Sequence, residues 1–423
     1  MGKLKKVIFP LIMILLTLAS IEIIAQASYY MIFKEKYSIN HLFSQVNRER
    51  GKQNRWDLLA REVVHPYIGF VWDLNDNEQN NKQHGFTTDS PPVLKKEKDC
   101  LNVALVGGSV AGNLRYFLRD ELKRVSGLSP RIVCLAIGGY KQPQQLMALN
   151  YYIALGAEYE LIINVDGFND IVLPIAENHK AGINPFFPRG WHLRMSRLSH
   201  EQVRALWEKL QQLLAEEKQF VAGLPHGFGR HNAIYGMLNW AWFRKIDYDI
   251  YRTRRKMSHL QSKMPKSFEA AGPSVHYDDV NQLYHELAEV WGRSSLLINN
   301  LASQNGIEYY HFLQPNQYYA KSKELNKEEL RDAYKENHLY REPVVIGYPV
   351  LINLGQTLLQ NKINFFDATM LFVNVKETIY RDDCCHYNKK GNEIFAAYII
   401  SKILAKTKID RLKYSHKSGK ESN

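Results

Sequence analysis

The stretch LNVALVGGSVAG, Leu101 to Gly112, decides the fold. An apolar run ends in two glycines, a serine and small residues, then passes into LRYFLRDEL, where apolar positions recur every three or four residues. That succession predicts a strand over Asn102–Val106, a tight turn and a helix over Asn113–Val125. Ser109 falls in the turn, where the amide-rich start of a helix favours negative charge and suits a nucleophile. A helix cap asks for the same residue type. Ser109 therefore gains chemical meaning only through partners elsewhere in the chain.

Working outward, strands are expected over Arg131–Ala136 and Tyr159–Val165 with a helix over Gln144–Leu155 between them. A fourth strand is expected over Ile307–Leu313, and Lys362–Phe372 is a further, partly apolar run. The last helix carries Ile394, Ala397, Tyr398 and Ile400 at helical spacing. Apolar strands separated by amphipathic helices predict an α/β fold with a parallel sheet covered on both faces. Right-handed crossovers bring the strand C-termini to one side, which is where open α/β sheets hold their ligands.

Between the third and fourth strands, roughly 175–300, this rhythm gives way to a helical insertion containing Ser199–Phe220, the aromatic-rich MLNWAWFRKIDYDIYRTRR and Tyr277–Ser303. Trp240, Trp242, Phe243, Tyr248 and Tyr251 suit ordinary helix packing. They equally suit a groove floor for a carbohydrate or acyl chain, with Arg244, Lys245, Arg252, Arg254 and Arg255 attracting an anionic polymer. The sequence leaves both readings open.

The 423 residues suffice for one large or two moderate domains, and an apolar share of 45% excludes general disorder. A formal charge of +12 favours anionic surroundings such as lipid headgroups or acidic glycans. Zinc-finger spacing, an RNA-binding aromatic motif and a dense arginine stripe are all missing, so no nucleic-acid partner is expected. Cys100, Cys134, Cys384 and Cys385 match neither a zinc ribbon nor a disulfide scaffold. Cys134 sits in an apolar run as core, and Cys384 with Cys385 could close only a strained vicinal ring.

Residues 7–25, VIFPLIMILLTLASIEIIA, are almost wholly apolar and follow Lys3, Lys5 and Lys6. At ~1.5 Å per residue such a helix just crosses a hydrocarbon layer of ~30 Å. Lysines ahead of the span favour an inside N-terminus. The expectation is a single-pass inner-membrane anchor with the body in the periplasm of a bacterial envelope. Ala25-Gln26-Ala27 also resembles a signal-peptidase site, which would make the protein secreted after cleavage near Ala27.

Acyl transfer through a serine requires a base and a group that orients it. Asp383-Cys384-Cys385-His386 places a carboxylate three positions before a histidine in a polar turn, so that Asp383 can meet one imidazole nitrogen while the other meets Ser109. Gly139 after the second strand and Asn169 after the third offer a backbone N–H and an amide that, with the Ser109 N–H, would form an oxyanion hole. Asp170 is expected to order the Asn169 loop, Asp166 to cap a turn, and Asp382 to serve local hydrogen bonding or surface charge. His311 and Gln314 are candidate substrate contacts beyond the fourth strand. GxGxxG, the second glycine of an α/β-hydrolase elbow and HExxH are absent, so neither a cofactor nor a metal is expected.

GGSV with Ser109, IGGY with Gly139, GFND with Asn169 and DCCH with His386 occur in the order found in SGNH hydrolases, the superfamily that includes GDSL-type esterases, which this chain resembles. The resemblance implies a flavodoxin-like three-layer α/β/α sandwich. It assigns those four residues to the name-giving roles, with Asp383 completing the triad. The first block reads Gly107-Gly108-Ser109 where the family carries Gly-Asp-Ser. HPYIGF, KQHGF and HFLQPNQY look like segments of membrane-anchored or secreted bacterial members.

The implied organisation is an anchor or signal segment (1–28), a stalk and lead-in (29–100), a hydrolase domain in two parts (101–174 and 301–405) around the insertion (175–300), and a basic tail (406–423). The implied function is an exported serine esterase removing acyl groups, acetyl among them, from an envelope glycan or lipid. An O-acyltransferase acting on a polysaccharide and a non-catalytic glycan-binding protein working with envelope assembly proteins are the alternatives.

Overall fold

A computed structural model describes residues 2–38, 61–73, 82–223, 232–264, 267–410 and 412. Part of the charged lead-in (39–60), the polar stretch 74–81, the Gly-rich break at 224–231 and most of the basic tail (413–423) lie outside the described residues. In chain order the principal elements are α1 (Gly2–Phe33), β1 (Glu62–His65), β2 (Gly69–Trp72), β3 (Cys100–Gly107), α2 (Ser109–Ser126), β4 (Ser129–Cys134), α3 (Gln144–Ala154), β5 (Leu161–Asp166) and α4 (Phe168–Leu173). There follow α5 (Glu201–Ala222), α6 (Ala233–Lys263), α7 (Val280–Gln304), β6 (Glu308–Leu313), α8 (Arg341–Gln360), β7 (Asn364–Asp367) and α9 (Lys389–Lys406).

The chain divides into two compact units, one of residues 62–194 and 266–423, the other of residues 1–61 and 195–265. In the larger unit β3 to β7 form one five-stranded sheet in the order β4-β3-β5-β6-β7, parallel at every pairing. This is the 2-1-3-4-5 order of flavodoxin-like folds, whose ligand crevice opens where the winding reverses, at the C-terminal end of the first strand. Here that strand is β3, and the residue that follows its end is Gly108.

Val103 to Val106 and Leu161 to Ile163 have no exposed surface, as expected of strands covered on both faces. Helices α2 and α9 pack together, and α7 packs on α3, α8 and β6, giving the three-layer sandwich. Helix α2 starts earlier than its apolar periodicity suggests. Ser109 is its first residue, and Gly112 N–H already donates to Gly108 O at 3.1 Å. The lead-in adds the antiparallel hairpin β1–β2, pinned by the buried ion pair of Glu62 with Arg194, while the Arg194 guanidinium stacks over Phe70.

The smaller unit contains α1, α5 and α6. Ile8–Phe33 is long and apolar enough to cross a membrane, with a mean hydropathy of 2.4 over its most apolar window and none of that window buried. From Ile8 to Ile21 every residue is exposed. From Glu22 onward the less exposed positions recur at helical spacing, where α1 packs on α6. Tyr29 and Phe243 form the centre of that contact, with Phe33, Tyr37, Met237 and Trp240 around them.

Candidate active site

Three loops leave the C-terminal ends of β3, β4 and β5 and converge on Ser109. The first is Gly107-Gly108. A side chain at Gly108 would meet the Asn169 amide nitrogen at 2.1 Å, so only glycine lets the third loop close against the serine. The second loop carries Gly139, whose φ of +85° lies in the region that favours glycine and whose α-carbon is roofed by the Arg189 side chain. Arg189 is held there by paired bonds from Nε and Nη2 to Glu177, both 2.9 Å, and Tyr340 donates to the same carboxylate at 2.7 Å.

The third loop carries Asn169, whose Nδ2 donates to Tyr140 O at 2.8 Å. Asp170 orders the loop as expected, accepting from Gly167 N–H at 2.9 Å and from Gln142 N–H at 2.6 Å. Burial and the neighbouring Asp166 carboxylate push Asp170 up to about 8. Burial draws the Lys141 ammonium down to about 7 against the pull of Asp170 and Glu177.

His386 arrives from the other end of the chain. Its Nε2 lies 2.7 Å from Ser109 Oγ, and its Nδ1 lies 2.7 Å from Asp382 Oδ2. An ionised carboxylate can only accept, so Nδ1 carries the proton and Nε2 accepts from the serine hydroxyl. The carboxylate against the imidazole is thus that of Asp382 and not that of Asp383, where it was expected. Asp383 turns away to Lys335, with His338 Nε2 at 3.9 Å.

The cause is local. Asp382 Oδ1 accepts from the N–H groups of Cys384, Cys385 and His386 at 3.1, 3.3 and 3.3 Å, curling the turn around itself as Asx turns do. That fold brings the residue four positions on against the carboxylate. Burial alone would raise Asp382, but the His386 hydrogen bond and charge together with these backbone donors outweigh it and hold the carboxyl at about 2. A signal was present in the sequence: an aspartate followed by a tight polar turn is as good a capping residue as it is a triad acid.

The backbone N–H of Ser109 and of Gly139 donates to no group among the described residues, and the Asn169 amide lies against Gly108. The two candidate substrate contacts part company. His311 has no exposed surface: Nε2 meets Asp166 Oδ1 at 2.8 Å and Nδ1 meets Ser295 Oγ at 2.8 Å, so it belongs to a buried network and not to a substrate surface. Asp166, expected to cap a turn, is the centre of that network and also accepts from Trp291 Nε1 at 2.7 Å. Gln314 follows β6 and is buried, with an Nε2 that has no partner among the described residues.

Cys384 and Cys385 are free thiols with their sulfurs 3.2 Å apart, and Cys134 is buried core. Cys384, Cys385 and His386 bring their ligand atoms within 4.8 Å of one another. Both imidazole nitrogens of His386 are nevertheless taken, by Asp382 and Ser109, so the trio does not fit a metal while the histidine serves the serine.

No family model and no curated protein matches the sequence. Among solved structures, a protein assigned as an acylhydrolase from Bacteroides fragilis matches 74% of this chain and 88% of its own at 12% identity, with a TM-score of 0.33. A GDSL-like lipase from Bacteroides thetaiotaomicron matches 73% of this chain and 90% of its own at 9% identity, with a TM-score of 0.34.

Proposed function

We propose that this chain is a membrane-anchored serine esterase of the SGNH type, its body on the outer side of the inner membrane, that removes acyl groups such as acetyl from an envelope glycan or lipid. The observation that carries the reading is the line Ser109 Oγ, His386 Nε2, His386 Nδ1, Asp382 Oδ2 with 2.7 Å at both contacts, set beside backbone N–H groups of Ser109 and Gly139 that have no partner among the described residues, at the C-terminal end of a parallel sheet. The apolar, exposed helix α1 supports the anchor.

In this reading His386 Nε2 takes the Ser109 proton as Oγ attacks the ester carbonyl, and Asp382 keeps the resulting imidazolium in register. The carbonyl oxygen becomes negative and is received by the N–H groups of Ser109 and Gly139 and by the Asn169 amide. Collapse expels the alcohol, which leaves with the proton held by His386, and an acyl-serine remains. Water, deprotonated by the same nitrogen, then releases the acid and restores the serine.

The test offers an activated acyl ester to the detergent-solubilised full chain, with and without glycan acceptors, and follows free acid and acylated glycan by mass spectrometry. Free acid that depends on Ser109 supports the esterase. Acylated glycan with little free acid would replace hydrolysis by transfer through the same acyl-serine, and glycan binding without either product would point to a silent assembly protein.

A further inference from the structure

The apolar run of α1 that follows Lys6 is interrupted by one charge, Glu22, and the structure shows what it holds. The carboxylate accepts the backbone N–H of Ala233 at 2.6 Å and of Ile234 at 3.2 Å, while the Asn232 side chain accepts Tyr235 N–H at 2.8 Å. The first N–H groups of α6, which have no partner inside their own helix, are therefore satisfied by protein. Such an end normally faces water. In hydrocarbon it is tolerable only when every polar backbone group is met from within.

The depth of that contact follows from α1. Counting about 20 residues from the lysines at its start places the far hydrocarbon boundary near Gln26, about one turn beyond Glu22. The residues that follow the Glu22 contact in α6, AIYGMLNWAWF from Ala233 to Phe243, contain no charge. One side of this stretch packs on α1 through Phe243, Met237 and Trp240. The other side leaves Tyr235, Leu238 and Trp242 exposed, as α1 leaves Ile23, Ile24, Tyr30 and Met31. Charge begins immediately after with Arg244 and Lys245, and Lys245 Nζ lies 5.0 Å from the Trp242 ring. Aromatic rings followed by long cations are what a membrane–water boundary selects.

We propose that the first three turns of α6 are a second membrane element running along α1, its first turn below the hydrocarbon boundary and the next two in the headgroup layer on the body's side, leaving it at Arg244 and Lys245, with Glu22 closing its inserted end. The occupant of the exposed Tyr235, Leu238 and Trp242 face is lipid, from acyl chain at Tyr235 to glycerol and headgroup at Trp242, not a glycan groove. This rests on the reading of α1 as a retained anchor, which is measured separately below. It assigns Glu22 the task that an intramembrane carboxylate must have to be tolerated, a fixed partner.

The full chain is reconstituted in vesicles of phosphatidylcholine and phosphatidylglycerol whose acyl chains carry bromine near the glycerol end, and tryptophan fluorescence is read for wild type, Trp242→Phe and Trp240→Phe/Trp242→Phe. The chain has seven tryptophans. The expected result is that bromine quenches the wild type and that the double variant loses at least half of the quenched signal. Retention in the membrane after alkaline carbonate washing is scored on the same samples. Retained protein with equal quenching in wild type and double variant would overturn the α6 insertion while leaving the anchor standing. Protein released by carbonate would remove the anchor, and the α6 proposal with it. Labelling of Ser109 by a fluorescent phosphonate verifies that the variants are folded.

Discussion

Asp382 Oδ2 meets His386 Nδ1 at 2.7 Å, and the same carboxylate's Oδ1 gathers three consecutive backbone N–H groups, the last of them that of His386 itself. Carboxylate and imidazole are thereby fixed to each other before any other element is considered. Replacing Asp382 by Asn removes the charge that stabilises the imidazolium and invites the wrong tautomer. Ester hydrolysis by Asp382→Asn should fall about 10³- to 10⁴-fold in kcat. Asp383→Asn, beside it but paired to Lys335, should stay within about threefold of wild type. Initial rates on a chromogenic acetyl ester compare the two, and the reverse ranking would hand the acid role back to Asp383.

The same contact makes a prediction about acid stability. The folded Asp382 carboxyl, held at about 2, lies below the ~3.9 of an unfolded chain. Its stabilisation is complete above pH ~5 and is lost as pH falls through the folded value. Thermal melts of wild type and Asp382→Asn should therefore differ most above pH 5 and converge toward pH 2. The gap should be no more than a few degrees, because the side chain is 36% exposed and screened. A gap that does not change over this range would deny the carboxylate its depressed value.

Ser109→Ala should abolish phosphonate labelling while moving Tm by no more than a few degrees. The hydroxyl's partner is the His386 nitrogen at the site, not the core. Equal labelling of both proteins would remove the serine from the chemistry.

Asn169→Ala should lower kcat by about 10²- to 10³-fold with little change in KM, as expected for a donor aimed at charge that exists only in the transition state. Because Asn169 also bonds Tyr140 O, a melting curve accompanies the kinetics. A loss confined to KM would mark Asn169 as a ground-state contact.

His311→Ala separates the buried network from the site. It strips Asp166 of one donor and Ser295 of a partner in a region without solvent, at a cost of about 2–4 kcal/mol. Chemical denaturation should show that loss, and KM for the folded protein should not rise.

How much of this was written in the chain follows from what each residue answers to. Strands such as Leu161–Asp166 announce themselves because burial on both faces demands an unbroken apolar run, and Ser109, Gly139 and Asn169 sit where such strands must end. Helix α8 did not announce itself. Its sequence REPVVIGYPVLINLGQTLLQ contains Pro343, Gly347, Pro349 and Gly355, which read locally as turn signals. The fold uses two of them differently: a side chain at Gly347 would strike Ile171 and one at Gly355 would strike Phe365, each at 2.2 Å. Close approach to neighbouring elements is information that no local window contains. The choice between Asp382 and Asp383 failed for a related reason, since a spacing of three and a spacing of four are both open until the turn's own backbone bonds are drawn.

Gly108 carries one more consequence. Its α-carbon is the floor on which the Asn169 amide rests, so the aspartate of a Gly-Asp-Ser block could not stand there without lifting the loop after β5 off Ser109. Engineering Gly-Asp-Ser into this chain would thus be a loss and not a gain. The departure at the first block and the placement of the third are a matched pair, and a successful swap would have to rebuild both loops together.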